Sequence, residues 1–127
     1  MSLREKIKGL QDLRTEVVHV PEWDVDIEVR SMTVRERAHM MTAYTDAKGN
    51  LSIDEAYPFM TVACCYDPAT GEKLFSNEDM DWLRDKNSSA IELLTLKAME
   101  LSGLGAGSVE QAEKNSPKTQ RKGSSSR

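Results

Sequence analysis

Apolar and polar residues alternate around Val18 and Val20 and again over residues 25–30, within the stretch of residues 16–37 around which the rest of the chain is arranged. A period of two places successive side chains on opposite faces of a strand. Residues 21–24, Pro-Glu-Trp-Asp, separate two such runs and are short enough for a hairpin loop. The sequence therefore predicts a two-stranded antiparallel ribbon. Its apolar face would consist of Val18, Val20, Val25, Ile27 and Val29.

Helical spacing replaces this alternation on both sides of the ribbon. A short amphipathic helix is predicted within residues 1–13, because its apolar residues recur at intervals of three and four. These residues are Leu3, Ile7, Leu10 and Leu13. A second helix is predicted over residues 34–47, since Thr33 and Glu36 form the reciprocal pair that satisfies free donors at a helix start.

Three further helices are predicted after the turn cluster at residues 48–50, each opened by a serine that can cap it. They cover about residues 53–65, about residues 77–86, and the segment from Ser88 or Ser89 to Gly103. The first of them is the most apolar segment of the chain, opened by the pair Ser52 and Glu55. Pro58 should kink it or shift its start, since proline lacks a donor and its ring clashes with the preceding turn.

These elements predict an α+β fold with an N-terminal antiparallel β-hairpin packed on four to five α-helices. The length of 127 residues suits one modest core, so we expect a single domain over residues 1–104. Residues 105–127 are almost free of apolar side chains. Because such a segment buries too little surface to offset its ordering entropy, it is predicted to be a flexible, disordered C-terminal tail.

The charge distribution bears on the class of partner. Residues 1–104 contain 12 Lys and Arg against 19 Asp and Glu, a net charge of −7, whereas residues 105–127 carry +3. An acidic domain argues against binding to nucleic acid, which depends on neutralising phosphates with basic side chains. We find no apolar run of membrane-spanning or signal-peptide type, and we therefore expect a protein of the cytoplasm without a membrane partner.

Residue types that carry chemistry are sparse. Cys64 and Cys65 are adjacent in an apolar run, which predicts buried thiols in a helix. His19 and His39 have no ligand partners at zinc spacing, and the turns that begin at Asp46 and Asp67 lack the ligand pattern of a calcium loop. No catalytic motif is present. The sequence therefore predicts a non-enzymatic protein without metal or cofactor, whose function lies in its surface.

Two passages resemble tail assembly chaperones of long-tailed bacteriophages of the siphovirus type, which also occur in prophages. The first is Pro-Glu-Trp at residues 21–23 ahead of a strand, followed by Val-Arg-Ser-Met-Thr-Val-Arg-Glu-Arg at residues 29–37. The second consists of Asp67, Gly71, Leu74-Phe75, residues 76–79 (Ser-Asn-Glu-Asp), Leu83 and the last apolar helix up to Gly103. The resemblance covers roughly residues 14–104.

The resemblance implies a non-catalytic role in the host cytoplasm, outside the mature virion. Such proteins coat the helical tape measure protein before the tail tube polymerises, and they hand it to the tail tube subunits. It also implies that a fraction of the product is often extended by ribosomal frameshifting near the 3′ end of the gene. Self-association is a further expectation for this chain. The partners expected from the resemblance are therefore the tape measure protein and the tail tube protein.

A reversible contact with an apolar helix calls for a surface rich in Met and Leu. The chain has seven methionines, and core filling competes with partner binding as their role. Our hypothesis for the contact surface combines part of the second helix with the apolar face of the last. Its residues are Met40, Met41, Tyr44, Leu94, Ala98 and Leu101.

Two other function classes compete with this interpretation. A small prophage-encoded regulatory or adaptor protein of helical type would need a basic recognition helix. Residues 34–47 contain Arg35 and Arg37 but also Glu36 and Asp46, a charge too small to favour DNA. A hydrolase with an unrecognised carboxylate pair would need a closed pocket, and the sequence singles out no such pair.

Overall fold

A computed structural model describes residues 2–104. The described chain contains three strands and five α-helices, and the predicted tail at residues 105–127 lies outside it. The elements are α1 (Leu3–Gly9), β1 (Thr15–Val20), β2 (Val25–Arg30), α2 (Val34–Ala43), α3 (Ile53–Cys64), β3 (Cys65–Tyr66), α4 (Met80–Leu83, preceded by the 3₁₀ turn Asn77–Asp79) and α5 (Ser88–Leu101).

The predicted hairpin is confirmed and forms most of a three-stranded antiparallel sheet of order β1-β2-β3. Val18 lies opposite Ile27 and Val20 opposite Val25, so the alternation sets the register. Asp24 closes the hairpin with φ +52°, a left-handed conformation that Asp tolerates better than most residues. Val25 is a partial exception to the predicted buried face: it lies at the end of the sheet and remains exposed.

The buried face of the sheet packs against α3 and α5, which form the other layer of the core. This confirms the α+β arrangement of a hairpin on helices. The core side chains from the sheet are Val18, Val20, Ile27 and Val29, and those from the two helices include Ala56, Phe59, Met60, Ala63, Cys64, Ala90, Leu94, Ala98 and Met99. Apolar burial of this kind is the main favourable contribution to folding.

Three helices differ from the prediction at their ends. The helix α2 stops at Ala43 because a turn begins earlier than expected, with the Asp46 carboxylate accepting from the backbone N–H groups of Lys48 and Asn50. The last predicted turn of α4, after Leu83, is not α-helical. The predicted pairing of Ser52 with Glu55 is wrong in detail, since the Ser52 hydroxyl makes no capping hydrogen bond.

Pro58 lies inside α3 without ending it. Proline has no N–H, so the carbonyl of Asp54, four residues earlier, loses its helical donor. The Nε of Arg84 donates to that carbonyl oxygen at 2.9 Å. The guanidinium thus replaces the missing backbone hydrogen bond and ties the end of α4 to the first turn of α3.

We expect Arg84→Met to lower the free energy of unfolding by about 1 kcal/mol, since it leaves the Asp54 carbonyl without this charged donor. In a Pro58→Ala background the alanine supplies a backbone N–H to the same oxygen, and the cost of Arg84→Met should fall to less than half. Urea denaturation of the four proteins measures this coupling. An equal cost in both backgrounds would show that Arg84 does not compensate for Pro58.

Candidate functional site

The structure separates the six residues of the predicted contact surface. Met40, Leu94 and Ala98 are fully buried in the core between the sheet and the helices. The prediction is corrected on this point, because side chains that fill the interior offer no area to a partner. Met41 is 48% exposed, and Tyr44 and Leu101 are partly exposed. Tyr44 and Leu101 line separate depressions, so these three residues share no single surface depression.

An apolar groove lies elsewhere, between the hairpin turn and the segment that leads into α4. It encloses about 440 Å³ and is open to solvent. Its lining residues are Trp23, Val25, Asp26, Ile27, Asp67, Pro68, Leu74, Phe75, Trp82 and Lys86. Leu74 is 39% and Trp82 43% exposed, so large apolar side chains face water here. A concave apolar surface of this size is typical of a binding site.

Trp82 is held in place by the turn that precedes α4. Its indole Nε1–H donates to Oδ1 of Asp79 at 2.8 Å, and the backbone N–H of Ser76 donates to Oδ2 of the same carboxylate at 2.8 Å. The ring of Phe75 meets the Trp82 ring edge to face, with centroids 5.8 Å apart. The polar atom of the indole is therefore satisfied within the chain, and the ring is presented to the groove in a fixed orientation.

The same hydrogen bonds lower the pKa of the Asp79 carboxyl below its ordinary value of 3.8. The bond from the Ser76 backbone has the larger effect on this pKa, and the bond from the Trp82 indole has the smaller one. A lowered pKa in the folded state means that the carboxylate stabilises the fold fully above pH 3.8. That contribution is lost as the pH falls through the lower folded value.

We therefore expect the fluorescence of Trp82, measured in a Trp23→Phe variant, to change on acidification with a midpoint below pH 3.8. Far-ultraviolet circular dichroism along the same titration identifies any global unfolding. In the Asp79→Asn variant this step should disappear. A midpoint at or above 3.8, or a step that survives Asp79→Asn, would show that Asp79 does not position the indole.

The opposite end of the groove is shaped by a tight turn. The backbone N–H of Gly71 donates to the Asp67 carbonyl at 2.7 Å, and Gly71 has φ +77°, which favours glycine. Arg30 holds this turn against the sheet: its guanidinium donates to the Gly71 carbonyl at 3.3 Å and lies 3.8 Å from the centroid of the Tyr66 ring. Glu28 pairs with Arg30 at 2.8 Å.

Charge around the groove is predominantly negative. The segments that supply its walls, residues 22–27, 67–75 and 78–86, contain nine acidic and three basic residues, a net charge of −6. Lys86 is the basic residue among the lining side chains, with its Nζ 5.7 Å from the Trp82 ring centroid. The groove therefore combines an apolar floor with an acidic surround.

Other side chains considered from the sequence do not join this groove. Cys64 ends α3 and Cys65 begins β3, both as buried free thiols. The predicted burial is confirmed, whereas the predicted helical position is wrong for Cys65. Burial raises the pKa of Cys65 to about 12 and that of Cys64 further, which keeps both protonated at neutral pH. Within residues 2–104 no cluster of three potential metal ligands occurs, and no helix there is long and apolar enough to span a bilayer.

The arrangement of the sheet and helices can be compared with known proteins. No protein-family model and no curated protein sequence matches the chain. A solved structure, that of the bacteriophage HK97 tail assembly chaperone, matches with a TM-score of 0.58 over 78% of this chain and 95% of that chain, at 16% sequence identity. The chain has the fold of a tail assembly chaperone. The resemblance predicted from the sequence is thus confirmed at the level of the tail assembly chaperone fold.

Sequence reasoning missed the groove on this fold. Trp23 was expected near the hairpin turn, but nothing local connects it with Phe75 or Trp82, some fifty to sixty positions further on. One signal was available: the chain has only two tryptophans, and both precede or follow acidic residues in turn-rich segments. Tryptophan has an apolar ring and a polar N–H group, and it is enriched at protein interfaces, so each of these residues is a candidate for contact with a partner.

Proposed function

We propose that this chain is a phage tail assembly chaperone that binds and shields the tape measure protein and helps to recruit tail tube subunits. The observation that carries the proposal is the fold shared with the HK97 tail assembly chaperone over 95% of that chain. The role we propose is non-catalytic and is performed in the host cytoplasm.

The groove supports this proposal physically. A long helical partner with apolar faces would aggregate alone, and a concave apolar surface can cover part of such a face reversibly. Exposed aromatic residues such as Trp82 suit this task, because a rigid ring gains contact area at little cost in side-chain entropy. Many copies along one partner would add their weak contacts through multivalency.

Co-expression with the tape measure protein encoded in the same genome tests the proposal. We expect the tape measure protein to become soluble only when this chain is present, and the two to co-purify. Tail tube subunits added to the purified complex should then associate with it. If the tape measure protein is equally insoluble with and without this chain, and the two do not co-purify, the proposed function is contradicted.

A further inference from the structure

We propose that the groove between Trp23 and Trp82 selects one kind of segment: an amphipathic helix with an aliphatic stripe flanked by lysine or arginine. The inference rests on the proposed function, since it specifies the chemistry of the partner at this site. It follows from two properties of the groove, namely its apolar floor and the negative charge of the segments around it.

The floor of the groove selects an apolar contact. Seven of its ten lining side chains are hydrocarbon or aromatic, and Nε1 of Trp82, one of the two indole donors there, is already bonded to Asp79 at 2.8 Å. A polar occupant would therefore lose hydrogen bonds to water without replacement. A helix suits such a floor, because its backbone donors and acceptors pair within the helix and only side chains need the groove.

The acidic residues around the groove favour a bound helix that carries positive charge. The three segments that supply the groove walls carry a net charge of −6, and the lining itself includes Asp26 and Asp67 against Lys86. In these segments Glu22 and Glu78 are exposed acidic residues without an intramolecular ion pair in the described part of the chain. Basic residues beside the aliphatic stripe of a bound helix would be attracted by this negative charge, whereas acidic residues would be repelled. Because these charges are exposed, the preference should weaken at high salt.

One segment of the chain itself has related chemistry. The helix α1 exposes Leu3 and Ile7 and carries Arg4, Lys6 and Lys8 against Glu5. A second copy is therefore a competing occupant of the groove, and the experiment must separate the two cases. We argue for a helix of another protein, because the proposed partner is a long helical chain that presents many such faces.

Tryptophan fluorescence tests the proposal directly, since the two tryptophans of the chain both line the groove. The probes are two designed helical peptides with the same leucine stripe, one with lysine and one with glutamate at the flanking positions. At low salt the lysine peptide should bind at least about tenfold more tightly than the glutamate peptide. The difference should shrink in 1 M salt, where the Debye length is about 3 Å.

Reversing the charge of acidic residues beside the groove tests whether they cause the preference for the lysine peptide. The double variant Glu22→Lys/Glu78→Lys should lower the affinity for the lysine peptide about fivefold or more. The control Asp12→Lys/Glu100→Lys makes the same change in net charge outside the groove walls and should alter the affinity less than twofold. Equal binding of both peptides, absence of binding, or equal effects of the two double variants would overturn the proposal.

The competing occupant gives a distinct result. If a second copy fills the groove, fluorescence should change on dilution without any peptide, and Ile7→Lys should abolish that change together with the oligomer seen by light scattering. This outcome would also overturn the proposal. Success of the co-expression experiment combined with no peptide preference would refute this inference alone and leave the chaperone function standing.

Discussion

Leu94→Ala should lower the free energy of unfolding by about 3 kcal/mol, within the range for a fully buried leucine. Leu94 lies in the core where α5 packs against the sheet and α3, and its truncation removes apolar contacts and leaves a cavity. The sequence alone placed this residue on the partner surface, so the measurement decides between a core role and a surface role. Urea denaturation monitored by circular dichroism provides the free energy.

Met41→Ala is the matched control, because it truncates a residue of the same predicted surface that remains 48% exposed. Its cost should stay within about 0.5 to 1 kcal/mol. Similar costs for the two substitutions would contradict the assignment of Leu94 to the core. Neither substitution touches the groove, so neither should prevent solubilisation of the tape measure protein at temperatures where the variant is folded.

Trp82→Asp should abolish the solubilisation of a co-expressed tape measure protein. The substitution removes the exposed aromatic side chain and adds a charge to the apolar floor, which together should weaken binding by at least about 2 kcal/mol, or roughly thirtyfold. The fold should survive, since the indole is 43% exposed and its single hydrogen bond is to an exposed carboxylate. The soluble fraction of the tape measure protein is the measured quantity.

Val34→Asp provides the control for this effect, since Val34 is an 87% exposed apolar residue at the start of α2, outside the groove. It makes the same kind of change, apolar to acidic, and should leave solubilisation intact. Thermal unfolding of both variants confirms that they are folded. Loss of solubilisation with both variants, or with neither, would show that the groove is not the contact site.

Local patterns predicted the elements well where they are long. The alternation around Ile27 specified the hairpin and its register, and Thr33 with Glu36 specified the start of α2. Two-residue β3 had no such pattern, because a strand of that length shows no periodicity. Helix ends after Ala43 and Leu83 were also missed, since they depend on turns and on contacts with distant residues.

The division between core and surface was harder to predict than the elements. Met40 and Met41 are neighbours of equal hydrophobicity, yet the first is fully buried and the second half exposed. The difference comes from the face that α2 turns toward α3, which is a tertiary property. The groove depends on tertiary structure even more strongly, because Trp23 and Trp82 come to line one groove only after the hairpin and α4 pack in the folded chain.

Photocrosslinking from the groove tests the central claim most directly. A benzophenone amino acid placed at Leu74, a groove residue that is 39% exposed, should form a covalent adduct with the co-expressed tape measure protein. The same amino acid placed at Val34 should form little or none. An adduct from Leu74 alone is the result that our account predicts. No adduct from Leu74, or equal adducts from both positions, would contradict it.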